Sequence, residues 1–281
     1  MTRAVISRGL DFGAIALGTA QFAFKDVSDV ASIATVDAAL DAGVRLIDTA
    51  LAYNRPGHVS YVERLLSRVL VRRGREAFTI ATKGGHWRDR DDFPIDGSPA
   101  ALRSHCEISL RALGVEQIDL YQLHHIDPKV PLGESILALV GMQREGKIRE
   151  IGLSNASIAQ LEEAMLIAPI ASVQNRLSFD LDDDKATADY CAAHGLAYLA
   201  YMPFGGAAGS LRGPGDVREA IAARLGVSWQ QVTLAWMMTL SDTIVPIVGA
   251  SRPASITDSL ASVALKLTND DRSALSRGSI R

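Results

Sequence analysis

Apolar and polar positions along this chain follow two patterns that alternate from end to end. Short apolar runs rich in Val, Ile and Leu, such as residues 44–48 and 118–124, are typical of buried strands. Between such runs, apolar residues recur at helical spacing, as they do over residues 30–40 before a stop at Gly43. We count eight strand–helix alternations, which favour a parallel barrel over an open sheet.

Several predicted elements have clear boundaries. Ser98-Pro99 supplies a serine cap and a proline for the first turn of a helix, and Ser157 with Gln160 matches a capping box. Gly74 ends another helix. The other predicted strands include residues 14–18, 78–83, 172–174, 197–201 and 244–247, and the other predicted helices include residues 61–73, 185–194 and 229–240.

The chain reads as one domain over residues 1–281, because no Pro/Gly/Ser-rich linker or shift in composition divides it. Within that domain we predict a short hairpin over residues 4–12, a (β/α)8 TIM barrel over residues 14–265, and a short polar tail from Asn269. A Rossmann sheet is the competing α/β architecture, but no GxGxxG motif follows any predicted strand.

Composition and charge exclude several classes of protein. The hydrophobic fraction of 48% is ample for a large core, and a formal net charge of -3 argues against a nucleic-acid or anionic-membrane surface. No apolar run is long enough to span a membrane, and the N-terminus lacks the apolar segment of a signal peptide. Cys106 and Cys191 lack CxxC or CxxH spacing, so we expect no metal site and a reduced, cytoplasmic protein. The oligomeric state stays open.

Ionisable residues end three of the predicted strands, and they carry the candidate chemistry. Asp48, Lys83 and His124 each close an apolar run, and Tyr53 follows Asp48 by five residues in the next loop. In a parallel barrel the carboxyl ends of the strands form one rim, where the side chains can meet. A phenol flanked by a carboxylate, an ammonium and an imidazole is a proton donor whose acidity its neighbours tune.

These four residues resemble the Asp/Tyr/Lys/His tetrad of the aldo-keto reductase superfamily. The similarity continues in order through residues 17–20, 146–149, 151–155, 173–175, 200–204 and 246–251. The resemblance implies NAD(P)H-dependent reduction of an aldehyde or ketone to an alcohol, with a small-molecule carbonyl or alcohol as substrate. Tyr53 would donate the proton, and Lys83 would lower the pKa of its phenol. Asp48 would keep Lys83 protonated, and His124 would orient the carbonyl.

The same resemblance implies where a nicotinamide dinucleotide binds, with NADPH expected and NADH as the alternative. Polar side chains at 154, 155 and 174 would bind the carboxamide, the ring at 201 would stack on the nicotinamide, and residues 203–205 would line the pyrophosphate path. The implied cofactor-binding residues are Gly18, Thr19, Ala20, Asp48, Ser154, Asn155, Gln174, Tyr201, Pro203, Phe204, Gly205, Gly249, Ser251, Arg252, Ser255, Asp258 and Ser259.

The sequence departs from the family pattern in two places. Ser255 stands where an arginine is often found and Ser259 where Asn is common, so Arg252 and Ser251 are the candidates to hold a 2′-phosphate. The loop over residues 53–58 is longer than the usual Tyr-Gly turn and lies beside the candidate proton donor.

Two further residues are candidates for the substrate pocket. Trp87 is a candidate pocket wall, with a cap on the barrel edge as the equal alternative. Strand alternation would send His124 and His125 to opposite faces. His125 therefore either faces the substrate or caps the strand.

Three other functions remain open on the sequence. The nearest is an NAD-dependent alcohol or aldose dehydrogenase with the same fold. A non-catalytic subunit that senses a dinucleotide is an alternative of another class. In a barrel aldolase, Lys83 would instead form a Schiff base with the substrate.

Overall fold

The computed structural model describes residues 4–180, 184–206 and 215–279, and its centre is a closed barrel of eight parallel strands. Each strand pairs with the next along the chain, and the last pairs with the first. A two-stranded hairpin precedes the barrel. The strands are β1 Ile6–Ser7 and β2 Leu10–Asp11 in the hairpin, then β3 Ala16–Gly18, β4 Leu46–Asp48, β5 Thr79–Gly84, β6 Ile118–Leu123, β7 Ile148–Ser154, β8 Ser172–Arg176, β9 Ala197–Tyr201 and β10 Ile244–Gly249.

Helices alternate with these strands and surround the barrel, so the predicted (β/α)8 architecture is confirmed. The helices of the described residues are α1 Ala20–Phe24, α2 Asp29–Asp41, α3 Tyr61–Arg73, α4 Pro99–Leu113, α5 Leu132–Arg144, α6 Ile158–Met165, α7 Lys185–His194, α8 Val217–Leu225, α9 Trp229–Leu240, α10 Pro253–Ala261 and α11 Asn269–Ser279. None of the helices in these ranges is long and apolar enough to cross a membrane.

Local capping explains why the predicted helix boundaries agree with the structure. Ser98 accepts a hydrogen bond from the backbone N–H of Ala101 at the start of α4, and proline occupies the first turn. Ser157 and Gln160 form the predicted capping box of α6. Each contact satisfies a backbone donor that the first turn of a helix leaves without an intrahelical partner.

Strand alternation decides which side chains enter the barrel. Leu46, Ala81 and Leu120 belong to the inner core cluster, whereas their neighbours Ile47 and Ile80 pack in the outer layer under the helices. Successive side chains of a strand point to opposite faces, so the residues two positions after the inner ones also point inward. Asp48 and Lys83 occupy such positions in β4 and β5.

The hairpin covers the end of the barrel where the strands begin. Leu10 and Phe12 are buried in the inner core cluster, and Thr79, the first residue of β5, donates a hydrogen bond from its hydroxyl to the Asp11 carbonyl. Apolar side chains therefore occupy the amino-terminal end of the barrel. The ionisable residues lie at the opposite end, where the strands end and where barrels of this type place their active sites.

The residues after Asn269 form helix α11 instead of the short polar tail expected from the sequence. Leu275 is fully buried, and Asp271 accepts hydrogen bonds from the backbone N–H and the hydroxyl of Thr268. Asp271 also pairs with Arg224 of α8. One buried leucine among polar residues is a weak periodic signal, and the contacts with α8 come from the tertiary fold. Helix α8 itself was not anticipated.

A close approach within the barrel wall gives a test of the packing. A Cβ at Gly84 would lie 2.0 Å from the hydroxyl oxygen and 2.8 Å from Cζ of Tyr121, whose ring is fully buried. We expect Gly84→Ala to lower the free energy of unfolding by about 2 kcal/mol, because an extra methyl group overpacks a rigid site. Urea unfolding followed by circular dichroism measures the change.

Gly141→Ala in α5 is the matched control. Its nearest heavy atom would be Arg103 Nη2 at 4.0 Å, so alanine fits and raises stability by up to about 1 kcal/mol through its helix propensity. Equal stability of the two variants would show that Tyr121 moves away without cost, against this account.

Candidate active site

A buried ion pair inside the barrel joins β4 to β5. Lys83 is completely inaccessible to solvent, and its Nζ donates hydrogen bonds to Asp48 Oδ1 at 2.7 Å and to the Thr49 carbonyl at 2.8 Å. The third contact of Nζ is Tyr53 Oη at 3.4 Å. Three oxygen partners satisfy the ammonium, and the only neutral hydroxyl among them belongs to the candidate proton donor.

Two other parts of the barrel fix Asp48. Gln174 of β8 donates from Nε2 to the carboxylate oxygen that Lys83 also binds, at 2.8 Å. The Thr19 hydroxyl donates to the Asp48 backbone carbonyl at 2.8 Å. Thr19 was predicted to bind cofactor. The hydroxyl of this fully buried residue supports the strand that carries the carboxylate, and a role of Thr19 in cofactor binding stays a prediction.

Burial dominates the electrostatic environment of Tyr53 and Lys83. Burial raises the pKa of its phenol well above 10, and the nearby Asp48 charge raises it further. Burial lowers the pKa of Lys83, and Asp48 opposes that shift. The net shift of the Tyr53 pKa is upward because burial is its largest cause, and stabilisation of the phenolate by Lys83 stays a prediction. The phenol is held protonated, which is the form that a proton donor needs.

The loop after Tyr53 is anchored by residues that the sequence analysis did not single out. Asn54 is buried; its Nδ2 donates to the Leu51 carbonyl at 2.5 Å, and its Oδ1 accepts from the backbone N–H of Tyr61 at 2.6 Å. Arg88 Nη1 donates to the Asn54 carbonyl at 2.8 Å. The longer loop therefore holds Tyr53 from both sides. The asparagine after the tyrosine was the available signal, because asparagine favours such local turns.

Three imidazole rings lie together beside Tyr53. The rings of His124 and His125 stack with centroids 5.1 Å apart and an angle of 17° between their planes, and His86 lies 4.9 Å and 4.8 Å from them. We expected the neighbouring histidines on opposite faces, and this is wrong. Because β6 ends at Leu123, strand alternation no longer applies at these positions.

Burial also determines the charge of these rings. It lowers the pKa of His124 well below 6.5, and the positive charge of Lys83 lowers it further. It lowers the pKa of His125 to about 4. His124 Nδ1 is buried and has no hydrogen-bond partner within the part of the chain that the structure describes. Both rings are therefore neutral near pH 7.

A cavity of about 540 Å³ opens at this end of the barrel, beside the four ionisable residues. Most of its lining had been predicted from the sequence: Gly18, Ala20, Asp48, Tyr53, His124, His125, Ser154, Asn155, Gln174, Tyr201, Pro203, Phe204 and Gly249. The lining residues that were missed are Gln21, Phe24, Lys25, Met202, Gly206 and Ile247. All but Ile247 lie just beyond β3 or β9, and that position was the available signal.

The walls of the cavity fit a nicotinamide ring. The Tyr201 hydroxyl donates to Asn155 Oδ1 at 2.7 Å, and Asn155 Nδ2 donates to the His124 carbonyl at 3.0 Å. These bonds fix an aromatic face beside the polar side chains of Ser154 and Gln174. Glycine leaves room at the edge, because a Cβ at Gly249 would lie 2.8 Å from Gln21 Nε2. A planar ring that carries an amide matches these surroundings.

Other predicted residues lie outside the described lining of this cavity. They are Thr19, Lys83, Trp87, Gly205, Ser251, Arg252, Ser255, Asp258 and Ser259. Trp87 packs on His105 with ring centroids 5.1 Å apart, so the structure does not place it as a pocket wall. Asp258 accepts hydrogen bonds from Ser228 and Gln231, which ties α10 to α9. Arg252 is exposed immediately before α10.

The chain matches known proteins over nearly its whole length. Residues 14–277 match the model of the aldo/keto reductase family. The chain belongs to this family. An uncharacterized oxidoreductase of Schizosaccharomyces pombe is 34% identical over 241 residues, which are 85% of this chain and 76% of the relative. A probable aldo-keto reductase of Glycine max is 30% identical over 270 residues, with the same coverage of 85% and 76%.

A solved structure extends the similarity to the fold. The aldo/keto reductase of Klebsiella pneumoniae in complex with NADP and acetate superposes with a TM-score of 0.84 at 25% identity, covering 99% of this chain and 95% of that one. The family, the barrel fold and the class of NAD(P)-dependent oxidoreductase predicted from the sequence are confirmed. The roles of individual residues of this aldo/keto reductase stay predictions.

Removing the charge of Asp48 tests the buried ion pair. Asp48→Asn leaves the Lys83 ammonium buried without its carboxylate, and we expect the free energy of unfolding to fall by about 3 kcal/mol. The control is Asp189→Asn, which breaks the pair between Lys185 and Asp189 at 2.7 Å, where both side chains are about half exposed. An exposed pair contributes about 0.5 kcal/mol or less. Urea denaturation of both variants measures the difference; equal losses would contradict the importance of burial.

The lowered pKa of His125 predicts an acid-sensitive contribution to stability. An unfolded histidine titrates near pH 6.5, so between that pH and about 4 the unfolded chain binds a proton that native His125 does not. The free energy of unfolding therefore falls as the pH falls through this window. His125 is partly exposed, and solvent screens part of this effect. Between pH 7 and 5 we therefore expect the free energy of unfolding of His125→Asn to fall by about 1 kcal/mol less than that of the wild type. If urea titrations show the same fall in the free energy of unfolding for both proteins, the His125 ring does not contribute to the pH dependence.

Proposed function

We propose that this aldo/keto reductase reduces a small aldehyde or ketone with NADPH and that Tyr53 donates the proton. The observation that carries the proposal is the contact of 3.4 Å between Lys83 Nζ and Tyr53 Oη, with Asp48 at 2.7 Å from the same nitrogen. The Klebsiella relative solved with NADP and acetate supports the choice of cofactor. Action in the cytoplasm stays a prediction.

Proton transfer from Tyr53 follows from the charges around its hydroxyl. A bound nicotinamide cofactor supplies the hydride, and the carbonyl oxygen becomes an alkoxide that needs a proton. Tyr53 is protonated at rest because its phenol is buried. When it gives up the proton, the Lys83 ammonium stabilises the phenolate that forms. Each pKa unit that this contact supplies corresponds to about 1.4 kcal/mol.

His124 is proposed to orient the carbonyl without carrying a charge. Its ring lies edge-on to Tyr53, with centroids 6.2 Å apart, and it lines the cavity. A neutral imidazole has one N–H donor, which can hydrogen bond to the substrate oxygen beside the phenol. A cationic imidazole would compete with Lys83 for the phenolate, and the lowered pKa of His124 prevents this.

For the cofactor, we propose that Tyr201 packs on the nicotinamide and that Ser154 and Gln174 bind its carboxamide. Asn155 acts partly through Tyr201, since its Oδ1 accepts the bond from the phenol. Arg252 is exposed and lies just before α10. With Ser251 it is the candidate for the 2′-phosphate, because a guanidinium matches the geometry of a phosphate.

The surroundings of Lys83 argue against a Schiff-base enzyme. A lysine that attacks a carbonyl must reach the substrate with a free amine. Here Nζ has three oxygen partners within 3.4 Å, and the side chain has no exposed surface. The nitrogen is positioned to act on Tyr53.

Substitution of Tyr53 by Phe separates binding from chemistry. Titration with NADPH and with NADH, followed by quenching of tryptophan fluorescence, gives the dissociation constants, and an aldehyde panel gives kcat. We expect NADPH to bind more tightly than NADH. We expect Tyr53→Phe to lower kcat by about 10²–10⁴-fold, the range for a lost general acid, and to change NADPH affinity by less than about threefold. Tyr190→Phe, at a partly exposed tyrosine that stacks on His194, is the matched control.

Three outcomes would contradict the proposal. If neither nucleotide binds, the hydride source is absent and the function is wrong. If Tyr53→Phe keeps the wild-type kcat, another group donates the proton. If NADH binds as tightly as NADPH and only alcohol oxidation is fast, the protein works as the NAD-dependent dehydrogenase that the sequence left open.

A further inference from the structure

Met202 differs from the other methionines in the described part of the chain by its exposure. Met202 as a residue is 45% exposed, whereas Met142 and Met237 are fully buried and Met238 is 9% exposed. Met165 on α6 is half-buried. A thioether reacts with peroxide only where the oxidant can reach the sulfur. Among the five methionines that the structure describes, Met202 is therefore the one most accessible to an oxidant.

The position of Met202 connects this exposure to the cavity. Met202 follows Tyr201 at the end of β9 and lines the cavity. Its backbone adopts the left-handed conformation with φ of +54°. The thioether packs against the backbone of Gly206, because a Cβ at that glycine would lie 2.5 Å from the Met202 sulfur. The sulfur therefore has one face against the chain and no room there for another atom.

The two thiols are poor competitors for an oxidant. Cys106 and Cys191 are both fully buried, and burial raises the pKa of each thiol to about 12. The thiolate is the form that reacts with peroxide, so both groups are nearly inert at neutral pH. Mild oxidation should act elsewhere.

We propose that Met202 is an oxidant-sensitive modification site whose conversion to the sulfoxide weakens binding of the nicotinamide cofactor. Hydrogen peroxide transfers one oxygen atom to the thioether sulfur, its O–O bond breaks, and water is released. The sulfur is oxidised by two electrons and the peroxide is reduced. Methionine sulfoxide reductases reverse this product, so the modification would be a reversible loss of affinity.

The loss of affinity follows from shape and polarity. The sulfoxide adds an oxygen and a strong dipole to a side chain that was flexible and apolar. Since Gly206 blocks one face of the sulfur, the new oxygen must turn toward the cavity or displace the chain around Gly206. Either change alters the wall next to Tyr201. This step rests on the proposed function, because it assumes that the cofactor occupies the cavity.

The test exposes the whole protein to hydrogen peroxide and follows each methionine by peptide mass spectrometry. We expect Met202 to gain one oxygen at least about tenfold faster than Met142, Met237 and Met238, in line with exposure. Saturating NADP⁺, which peroxide does not consume, should slow oxidation of Met202 several-fold and leave Met165 unchanged. Comparable rates at Met202 and the three buried methionines would overturn the site.

The consequence is measured by comparing treated with untreated samples of the same variant. In the wild type we expect the dissociation constant for NADP⁺ to rise at least about fivefold after treatment, and methionine sulfoxide reductase to restore it. In Met202→Leu the dissociation constant should not rise after treatment. In Met165→Leu it should rise as it does in the wild type. A rise in Met202→Leu, or none in the wild type, would overturn the coupling.

The two proposals fail in different ways. If untreated wild type binds no NADP⁺, the proposed function is wrong, and the mass measurement still decides whether Met202 is the oxidised residue. If untreated protein binds NADP⁺ and oxidised Met202 leaves that affinity unchanged, only the coupling is wrong.

Discussion

The buried contact between Lys83 and Asp48 is the constraint on which the rest of the site depends. An ammonium without exposed surface needs a carboxylate and further oxygen atoms, and β4 and β5 supply them with the Asp48 carboxylate and the Thr49 carbonyl. Gln174, from the opposite side of the barrel, donates a further hydrogen bond to the Asp48 carboxylate. The contacts that hold Lys83 in place therefore also hold its ammonium next to the Tyr53 hydroxyl.

Burial and nearby charges together set the resting protonation states of Tyr53 and His124. Removal from water keeps the Tyr53 phenol protonated and the His124 ring neutral at rest. The Lys83 ammonium, 3.4 Å from the Tyr53 hydroxyl, is then a positive charge beside the phenolate that forms. In a dry site such a charge acts more strongly than it would in water. The resting protein therefore holds the proton on Tyr53 until a substrate is present to accept it.

Loops on the rim add further side chains to the site. Arg88 joins the loop after β5 to the loop that carries Tyr53, and the rings of His86, His124 and His125 form one neutral cluster. Met202 brings an oxidisable sulfur to the same cavity. Loops of a barrel commonly carry substrate selectivity and regulation, so these side chains are the ones to vary when the substrate of this protein is sought.

The sequence by itself determined the barrel, most helix boundaries and the four ionisable residues, because strand periodicity and helix caps are local properties that neighbouring residues encode. Only the tertiary structure decided that His124 and His125 stack, that Asp258 anchors α10 to α9, and that a helix replaces the polar tail. Those outcomes depend on where a strand stops and on partners distant in the chain. The raised pKa of Tyr53 also needed the fold, because desolvation arises from all the atoms packed around a group and no short motif records it.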